Sequence, residues 1–427
     1  MITILLGFMI GFLVLALPMF LGMMIGPLAV MDIYYPNFSL TNIASTFVTG
    51  VNSFVLLAVP MFIYAADIMS AGQSARRLLN FVQSFVGHFR GGLGITVAGT
   101  CTIFGAISGS TQATLVAIGK TVLPQMKELN YTTSHSIGLT MSTANIALLI
   151  PPSIAMIMYA VLTGVSVAEM FIAGVGPGLM LFLIFSIYEF IVAKRRGIIQ
   201  IEKVSWSERW KATREALIPL GFPVLILGGI YTGAFSPTEA AAVSVLYAFI
   251  VEKFIYKSVT WKDLVRLALG TGSVTGTIFI LLSAGAAFSW VITYAGIPQR
   301  LIAATLGTDP SALSVLLIVT VFFIVCCCFV DSIPVILILT PIFFPVAVNA
   351  GIDPIHLGMI VTLQAAIGAI TPPFGCNIFT AAAIFDENFK TVIAGIIPYL
   401  LMYVLVSASM IFFPQAALWF RDLVYVI

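Results

Sequence analysis

The sequence predicts an all-α polytopic membrane protein made of two inverted repeats, each a re-entrant helical hairpin followed by a broken helix. Three observations predict it. Of 427 residues, 60% are hydrophobic and 8% charged, where a typical soluble domain carries about 25% charged residues. Two apolar stretches, 92–125 and 312–347, are too long for one crossing, which takes about 20 residues. Each is interrupted near its centre by small or polar residues, "GAISGSTQA" at 105–113 and "CFVDSIP" at 328–334. Two further apolar stretches are broken by adjacent prolines, "LLIPPSIAMIM" at 148–158 and "AITPPFGCNIF" at 369–379. Proline removes a backbone donor and clashes one turn back. Lipid offers no replacement partner, so the freed backbone groups must face protein, water or a ligand.

Residues 2–30 are apolar and contain no Lys or Arg. A cleaved signal would want a basic start and a small-residue cleavage site, so this stretch reads as a first crossing helix that begins in the cytoplasm. A span at 51–70 follows, then the first hairpin at 92–125 and a broken helix at 136–163. Spans at 170–193, 215–232, 238–256 and 270–294 lead to the second hairpin at 312–347, a broken helix at 356–384 and a last span at 389–415. The chain divides accordingly into N-terminal scaffold helices (1–91), a first repeat (92–195), further scaffold helices with interfacial arms (196–269), connecting helices (270–311) and a second repeat (312–427). Trp206, Trp210 and Trp261 sit among the Lys and Arg residues of 203–214 and 258–266, a mixture that favours helices lying along the membrane surface.

The distribution of positive charge tests the hairpins. With a cytoplasmic N-terminus and both long stretches re-entrant, every Lys and Arg of the 19 falls on the cytoplasmic side except Arg300 and Arg421, as the positive-inside rule requires. A simple crossing at either place would flip every later loop. The same topology makes the first hairpin enter from the cytoplasm and the second from the opposite side. An internal match supports the inversion. At an offset of 221, Pro151 and Pro152 fall on Pro372 and Pro373, Ala144 on Ala365, Ile157 on Ile378, Ala173–Gly174 on Ala394–Gly395 and Pro177 on Pro398. Upstream, Pro124 falls on Pro345 and Ser110 on Asp331. Inverted repeats with discontinuous helices are a signature of secondary transporters.

The composition excludes other classes. There is no basic face or dense Lys/Arg run for nucleic acid. The five cysteines offer no CxxC, and Cys326–Cys328 read as small buried hydrophobes. His88, His135 and His356 show no ligand spacing and are assigned no chemistry. Glu239 fits a capping box with Ser236, Pro237 leading the helix. Glu189 and Asp67 lie near the ends of their spans and read as interfacial.

The hairpin tips and helix breaks carry the candidate chemistry. Carbonyls at the end of a half-helix suit a cation, and amides at the start of the next suit an anion. Asp331 is a carboxylate at a hairpin tip, and intramembrane carboxylates are costly and usually functional. It could balance a hard cation, cap the arm starting at Ser332, or do both. Thr111, Gln112, Asn145, Ser332 and Asn377 are neutral hydrogen-bonding side chains beside the tips and breaks, and read as substrate-binding. They could equally hold the hairpins to the broken helices. No Arg or Lys stands near the breaks to meet a carboxylate, so helix N-terminal amides or bound cations would have to do so.

Six stretches carry a family resemblance: "GHFRGGLG" (87–94), "SGST" (108–111), "LIPPSIAMIMY" (149–159), "AGVGPGLML" (173–181), "GAFSPTEAAAV" (233–243) and "TPPFG" (371–375). In order and over most of the chain, they resemble the large membrane subunit of the tripartite ATP-independent periplasmic (TRAP) transporters. The resemblance implies an elevator-type fold in the bacterial inner membrane, surrounded by lipid and driven by a sodium gradient. The implied partners are a small four-helix membrane subunit and a soluble periplasmic substrate-binding protein. The implied cargo is an organic acid anion, sialic acid or a C4-dicarboxylate, with no organic cofactor and no enzymatic step. One Na+ would lie between the first hairpin tip and the first break, at Ser108 and Ser110 with the carbonyls of Ala147, Ile150 and Pro152. The second would use Asp331 with the carbonyls of Gly368, Thr371 and Pro373. The chain departs from the family at Thr111 and Gln112, where a second Ser is common, and near Asn145, where Gly is common. Such mixed donors and acceptors suit a hydroxyl-rich acid such as sialic acid. The competing reading is an ion channel, since re-entrant hairpins also build selectivity filters. An intramembrane enzyme would need a His/Asp pair or metal cluster at one depth, which the sequence does not display.

Overall fold

The computed structural model describes residues 1–36, 38–298, 300 and 310–425. These form 19 α-helices with short 3-10 and π segments, and seven helical segments are long and apolar enough to cross a membrane. Both expected hairpins are present. The first has arms Gly92–Ser108 and Thr111–Glu128, and the second has arms Ala312–Phe329 and Ser332–Asn349. The offset of 221 carries the inner arm of the first onto that of the second, end to end.

Each hairpin is followed by a helix in two pieces. The first pair is Thr133–Ala144 and Ile154–Thr163, joined by a 3-10 turn at Asn145–Leu148 and the Pro151–Pro152 break. The second pair is Pro354–Ala369 and Cys376–Phe385, broken at Pro372–Pro373. Both Pro-Pro peptide bonds are cis. The two half-helices restart differently, the first with a side-chain cap and the second without one. Ser153 accepts from the Met156 amide through its Oγ at 3.5 Å, and Gly375 occupies the corresponding place in the second repeat. A long helix closes each repeat, Val167–Arg196 in the first and Phe389–Phe412 in the second.

The inversion is visible in the packing. Along Thr133–Ala144 and the turn after it, His135 meets Glu189 while Ile146 meets Gly178, so the helix Val167–Arg196 runs antiparallel to it. Along the same stretch, Ser134 meets Gly395 and Ser142 meets Tyr403, so the helix Phe389–Phe412 runs parallel to it. The two closing helices therefore run in opposite directions, which is the relation of inverted repeats. Partner exchange follows the same two-fold: the arm Thr111–Glu128 packs on Cys376–Phe385, and the arm Ser332–Asn349 packs on Ile154–Thr163. Asn145 donates from Nδ2 to the carbonyl of Ala366, its own counterpart, at 2.7 Å. A residue bonded to its own symmetry mate lies beside the pseudo-two-fold axis.

The remaining helices pack against this core. Ala58–Ala71 packs on Pro237–Phe249, and Trp261–Tyr294 runs against both Ala58–Ala71 and the arm Ser332–Asn349. The expected capping box at Ser236 is formed, with Glu239 accepting from the Ser236 amide at 2.8 Å and Pro237 leading the helix. Part of the expected connecting stretch 270–311, namely 299 and 301–309, lies outside the described residues.

Two expectations are corrected. The stretch 2–30 is two helices, Ile2–Val14 and Met19–Tyr34, not one. Ala16 turns the chain at φ 53 before Pro18, and Gly22 and Gly26 then lie against Phe12 and Leu5 in an antiparallel pair. The terminal ammonium sits 3.3 Å from the Tyr34 hydroxyl, and Met1 Sδ lies 3.9 Å from the Arg300 guanidinium. The N-terminus thus shares the side of Arg300, which the positive-inside rule sets opposite the basic loops, against the expected cytoplasmic start. The assignment of the later loops is unaffected. The second correction concerns the Trp-rich segments. They are not separate surface helices but the first turns of continuous helices, Trp206–Tyr231 and Trp261–Tyr294. Capping boxes at Ser205/Glu208 and Thr260/Asp263 start these helices, and Trp206 and Trp210 stand 75% and 72% exposed on the first.

Candidate functional site

The two hairpin tips open into one cleft. It has a volume of 530 Å³ and is lined by Ser108–Ala113 from the first tip, Asp331–Pro334 from the second, Leu148, Ile154 and Ala155 from the first break, and two helices outside the repeats. Those helices contribute Ile63, Ala66 and Asp67 on one side, and Val274, Thr277, Ile278 and Leu281 on the other.

The first tip is a sharp turn held by its own polar atoms. Gly109 ends the outer arm at φ +56, in the left-handed region glycine enters without penalty. A Cβ there would also collide with the Pro152 carbonyl. The tip and the first break are therefore in direct contact. Ser110 caps the inner arm, its Oγ accepting from the Ala113 amide at 3.4 Å. Ser108 Oγ lies 2.7 Å from Thr114 Oγ1 and accepts from the Ser110 amide at 3.3 Å. Gly105 packs on Ala147. The structure thus brings Ser108 and Ser110 beside Ala147 and Pro152. Ile150 turns its side chain the other way, against Gly178.

The second tip is built alike but capped differently. Asp331 occupies the N-cap position of its arm, yet its side chain makes no cap hydrogen bond. It is exposed to the cleft and neighbours Cys376. Gln112 of the first repeat approaches the same Cys376. Behind the tip, Cys327 packs on Gly368, the counterpart of Gly105 on Ala147 shifted by one residue. Thr371 donates to the Ile367 carbonyl at 2.6 Å, and its amide donates to the Gly368 carbonyl at 3.0 Å. Pro373 sits in the break itself. The tip carrying Asp331 therefore adjoins the break carrying Gly368, Thr371 and Pro373.

The five residues read as substrate-binding divide into two groups. Thr111, Gln112 and Ser332 line the cleft. Asn145 and Asn377 do not: both are fully buried behind the tips. Thr111 donates to Asn377 Oδ1 at 3.1 Å, Asn377 donates to Asn145 Oδ1, and Asn145 donates to the Ala366 carbonyl. This chain of amides ties the first hairpin to both breaks across the pseudo-two-fold axis. Buried amides cost a lost hydrogen bond each unless paired, and here every link is paired.

Four residues given no site role from the sequence, Asp67, Glu189, His135 and His356, take defined places. Asp67 is not interfacial. It lines the cleft opposite the tips, and its Oδ2 accepts from Thr271 Oγ1 at 2.9 Å. Glu189, near the end of its helix, is fully buried against other helices. Its Oε2 lies 3.1 Å from His135 Nε2, and its Oε1 accepts from the Tyr399 hydroxyl at 2.5 Å. Gly94 leaves room for this carboxylate, since a Cβ there would strike it. The offset of 221 already pairs His135 with His356 and Glu189 with Met410, and that pairing was the available signal. In the second repeat His356 Nε2 lies 2.8 Å from the Met410 carbonyl oxygen. Among the described residues, no cluster of His, Cys, Asp and Glu has metal-ligand geometry.

Residues 6–416 match the family described as tripartite ATP-independent periplasmic transporter, DctM component. The chain is 48% identical to the ectoine TRAP transporter large permease protein of Halomonas elongata, over the whole length of both. It is 47% identical to the ectoine/5-hydroxyectoine TRAP transporter large permease protein of Ruegeria pomeroyi, over 98% of each chain. Its fold is similar to the crystal structure of the Alcanivorax borkumensis YdaH transporter, with a TM-score of 0.61 at 14% identity over 88% of this chain and 90% of that one. The chain belongs to the DctM-component family of tripartite ATP-independent periplasmic transporters, as a multi-pass large permease of the bacterial inner membrane.

Proposed function

We propose that this permease is the membrane-translocating subunit of a sodium-coupled uptake system for a small carboxylate-bearing solute. A periplasmic binding protein delivers the solute, and a small four-helix membrane subunit braces the helices outside the repeats. The single observation that carries the reading is the convergence of both hairpin tips on one cleft between the repeats and those outer helices. In an elevator cycle, 92–195 and 312–427 move together with their tips, while 1–91 and 196–269 stay in place. Na+ would bind where tip meets break: at Ser108 and Ser110 with the Ala147, Ile150 and Pro152 carbonyls, and at Asp331 with the Gly368, Thr371 and Pro373 carbonyls. Carbonyls at a broken helix end supply the partial negative charge a hard cation needs. Ion binding would pull each tip onto its break and complete the cleft floor for the solute.

The lining of the cleft favours one substrate class. Among the described residues it holds two carboxylates, Asp67 and Asp331, and no Lys or Arg. A dianion such as a C4-dicarboxylate would enter against both charges, relieved only by bound Na+. A zwitterion of the ectoine type, a carboxylate joined to a delocalised ring cation, can place its positive part on a carboxylate and its negative part on the tip hydroxyls and amides. The nearly full-length likeness to two ectoine permeases supports the same class. The organic-acid expectation is thereby narrowed to a zwitterionic acid ahead of sialic acid or a dicarboxylate.

The test is uptake into proteoliposomes carrying this chain with its small subunit, supplied with the cognate binding protein and labelled ectoine. Saturable uptake that needs an inward sodium gradient is the expected result. Flux that is unsaturable and indifferent to the binding protein would favour a channel and overturn the reading.

A further inference from the structure

Among the described residues, Asp67 is the one charged group that the cleft receives from outside the two repeats. It lies on Ala58–Ala71, which packs on Trp261–Tyr294. Thr271, buried on the latter helix, holds one carboxylate oxygen at 2.9 Å. Among the described residues no protein group donates to the other oxygen and no cation pairs with Asp67. A carboxylate facing a cleft of 530 Å³ at the depth of two re-entrant tips is costly without a compensating positive charge. Thr271 fixes its direction but brings no charge. The first repeat offers the cleft Ser108, Gly109, Ser110, Thr111 and Gln112, all neutral, and Asp331 sits on the other tip.

We infer that Asp67 is a specificity-determining residue which receives the cationic part of a zwitterionic substrate, with the substrate carboxylate turned toward the neutral first tip. The inference rests on the uptake reading above and adds the residue that sets the charge class. It also separates two roles that look alike in composition. Asp331 travels with the tips and serves the coupling ion. Asp67 stays with the outer helices and meets the solute only in the conformation in which the tips face it. Selection by charge is thereby confined to one end of the cycle, and the solute is released from that contact when the tips slide away.

The test uses the purified complex of this chain and its small subunit in lipid nanodiscs, with radiolabelled ectoine as the probe in sodium chloride. Asp67→Asn keeps the shape and the acceptor oxygen for Thr271 but removes the charge. Ectoine affinity is expected to fall tenfold or more, while the sodium concentration for half-maximal thermal stabilisation stays within twofold of wild type. Asp331→Asn is expected to do the reverse at the sodium step. Equal ectoine affinity in wild type and Asp67→Asn overturns the inference and leaves the uptake reading standing. Wild-type protein that binds no ectoine but transports an anionic acid overturns the inference and the zwitterion class, and leaves sodium-coupled uptake of a carboxylate standing. If Asp67→Asn does not fold, the wild-type protein decides. Cyclohexanecarboxylate, which has the carboxylate on an uncharged ring, should compete with labelled ectoine at least tenfold more weakly than unlabelled ectoine does. Equal competition overturns the inference.

Discussion

The first repeat closes its hairpin with Gly109 lying against the Pro152 carbonyl and with Ser110 capping the inner arm. The second closes at Val330 and Asp331, and Asp331 leaves the amides of its arm uncapped by its side chain. Deeper in, the same exchange runs the other way. His135 of the first repeat meets the carboxylate of Glu189, while His356 of the second meets only the backbone carbonyl of Met410. Each repeat thus carries one carboxylate where the other has a neutral group, but at different levels: the second at the tip that faces the cleft, the first in the packed interior. A duplicated backbone supplies two equal frames, and the charge placed on each frame assigns the work. An exposed tip carboxylate is available to an ion. A carboxylate buried between histidine and tyrosine is not, and it holds helices together instead.

The comparison breaks most visibly if the repeats are not inverted. Single cysteines at positions 90, 120 and 127 should all label from the cytoplasm, and one at 300 from the periplasm. A cysteine placed at the N-terminus should label with 300, as the Met1 contacts to Tyr34 and Arg300 require. Opposite labelling of 90 and 127 would make the first hairpin a crossing and end the two-fold description.

The next largest effect tests the buried carboxylate. Leaving a buried polar group without its hydrogen-bond partner costs about 1–3 kcal/mol, and removing the Glu189 carboxylate strips a partner from both His135 and Tyr399. Glu189→Ala should therefore sharply lower the temperature at which the purified complex loses its monodisperse peak in detergent. Met410→Leu preserves the carbonyl that His356 uses, and a volume-conserving exchange costs less than about 1.5 kcal/mol. Equal losses in the two variants would show that the carboxylate adds nothing the carbonyl lacks.

The smallest effect in free energy is the most informative about mechanism. In Asp331→Asn, the sodium concentration for half-maximal uptake should rise about tenfold, corresponding to about 1.4 kcal/mol. Ser110→Ala should cost the arm a cap worth about 1 kcal/mol and shift the sodium curve less. Because Asp331 makes no cap bond here, a sodium curve that stays normal in Asp331→Asn cannot be explained by asparagine serving as the cap. It would remove Asp331 from the ion site.

Much of the fold could be read from local features of the chain. Both hairpins, both breaks and the capping box at Ser236 follow from apolar length, glycine and proline positions and cap residues, which act within a turn or two. The offset of 221 carried the repeat because a two-fold fold imposes the same local needs twice. The N-terminal stretch was misread for a local reason as well: its composition is that of one long helix, and only the turn at Ala16–Pro18 with the packing of Gly22 and Gly26 makes it two.

What only the tertiary structure decided is where isolated polar residues end up. Asp67 and Glu189 look alike in sequence, each a single acid toward the end of an apolar span. Packing sends Asp67 to the cleft, held by Thr271 some 204 positions away, and Glu189 to the interior, between His135 and Tyr399 at separations of 54 and 210. Asn145 and Asn377 meet each other across 232 positions, the hairpin-to-break bonding that their polarity also allowed. Hydropathy and periodicity report which side of a helix is apolar and say nothing of which distant helix will cover it. The sequence alone determined a duplicated, inverted membrane scaffold with two hairpins and two broken helices. The assignment of each carboxylate to cleft or core belonged to long-range packing, because an unpaired charge in an apolar medium is tolerated only where a partner from elsewhere in the chain, or a ligand, arrives to meet it.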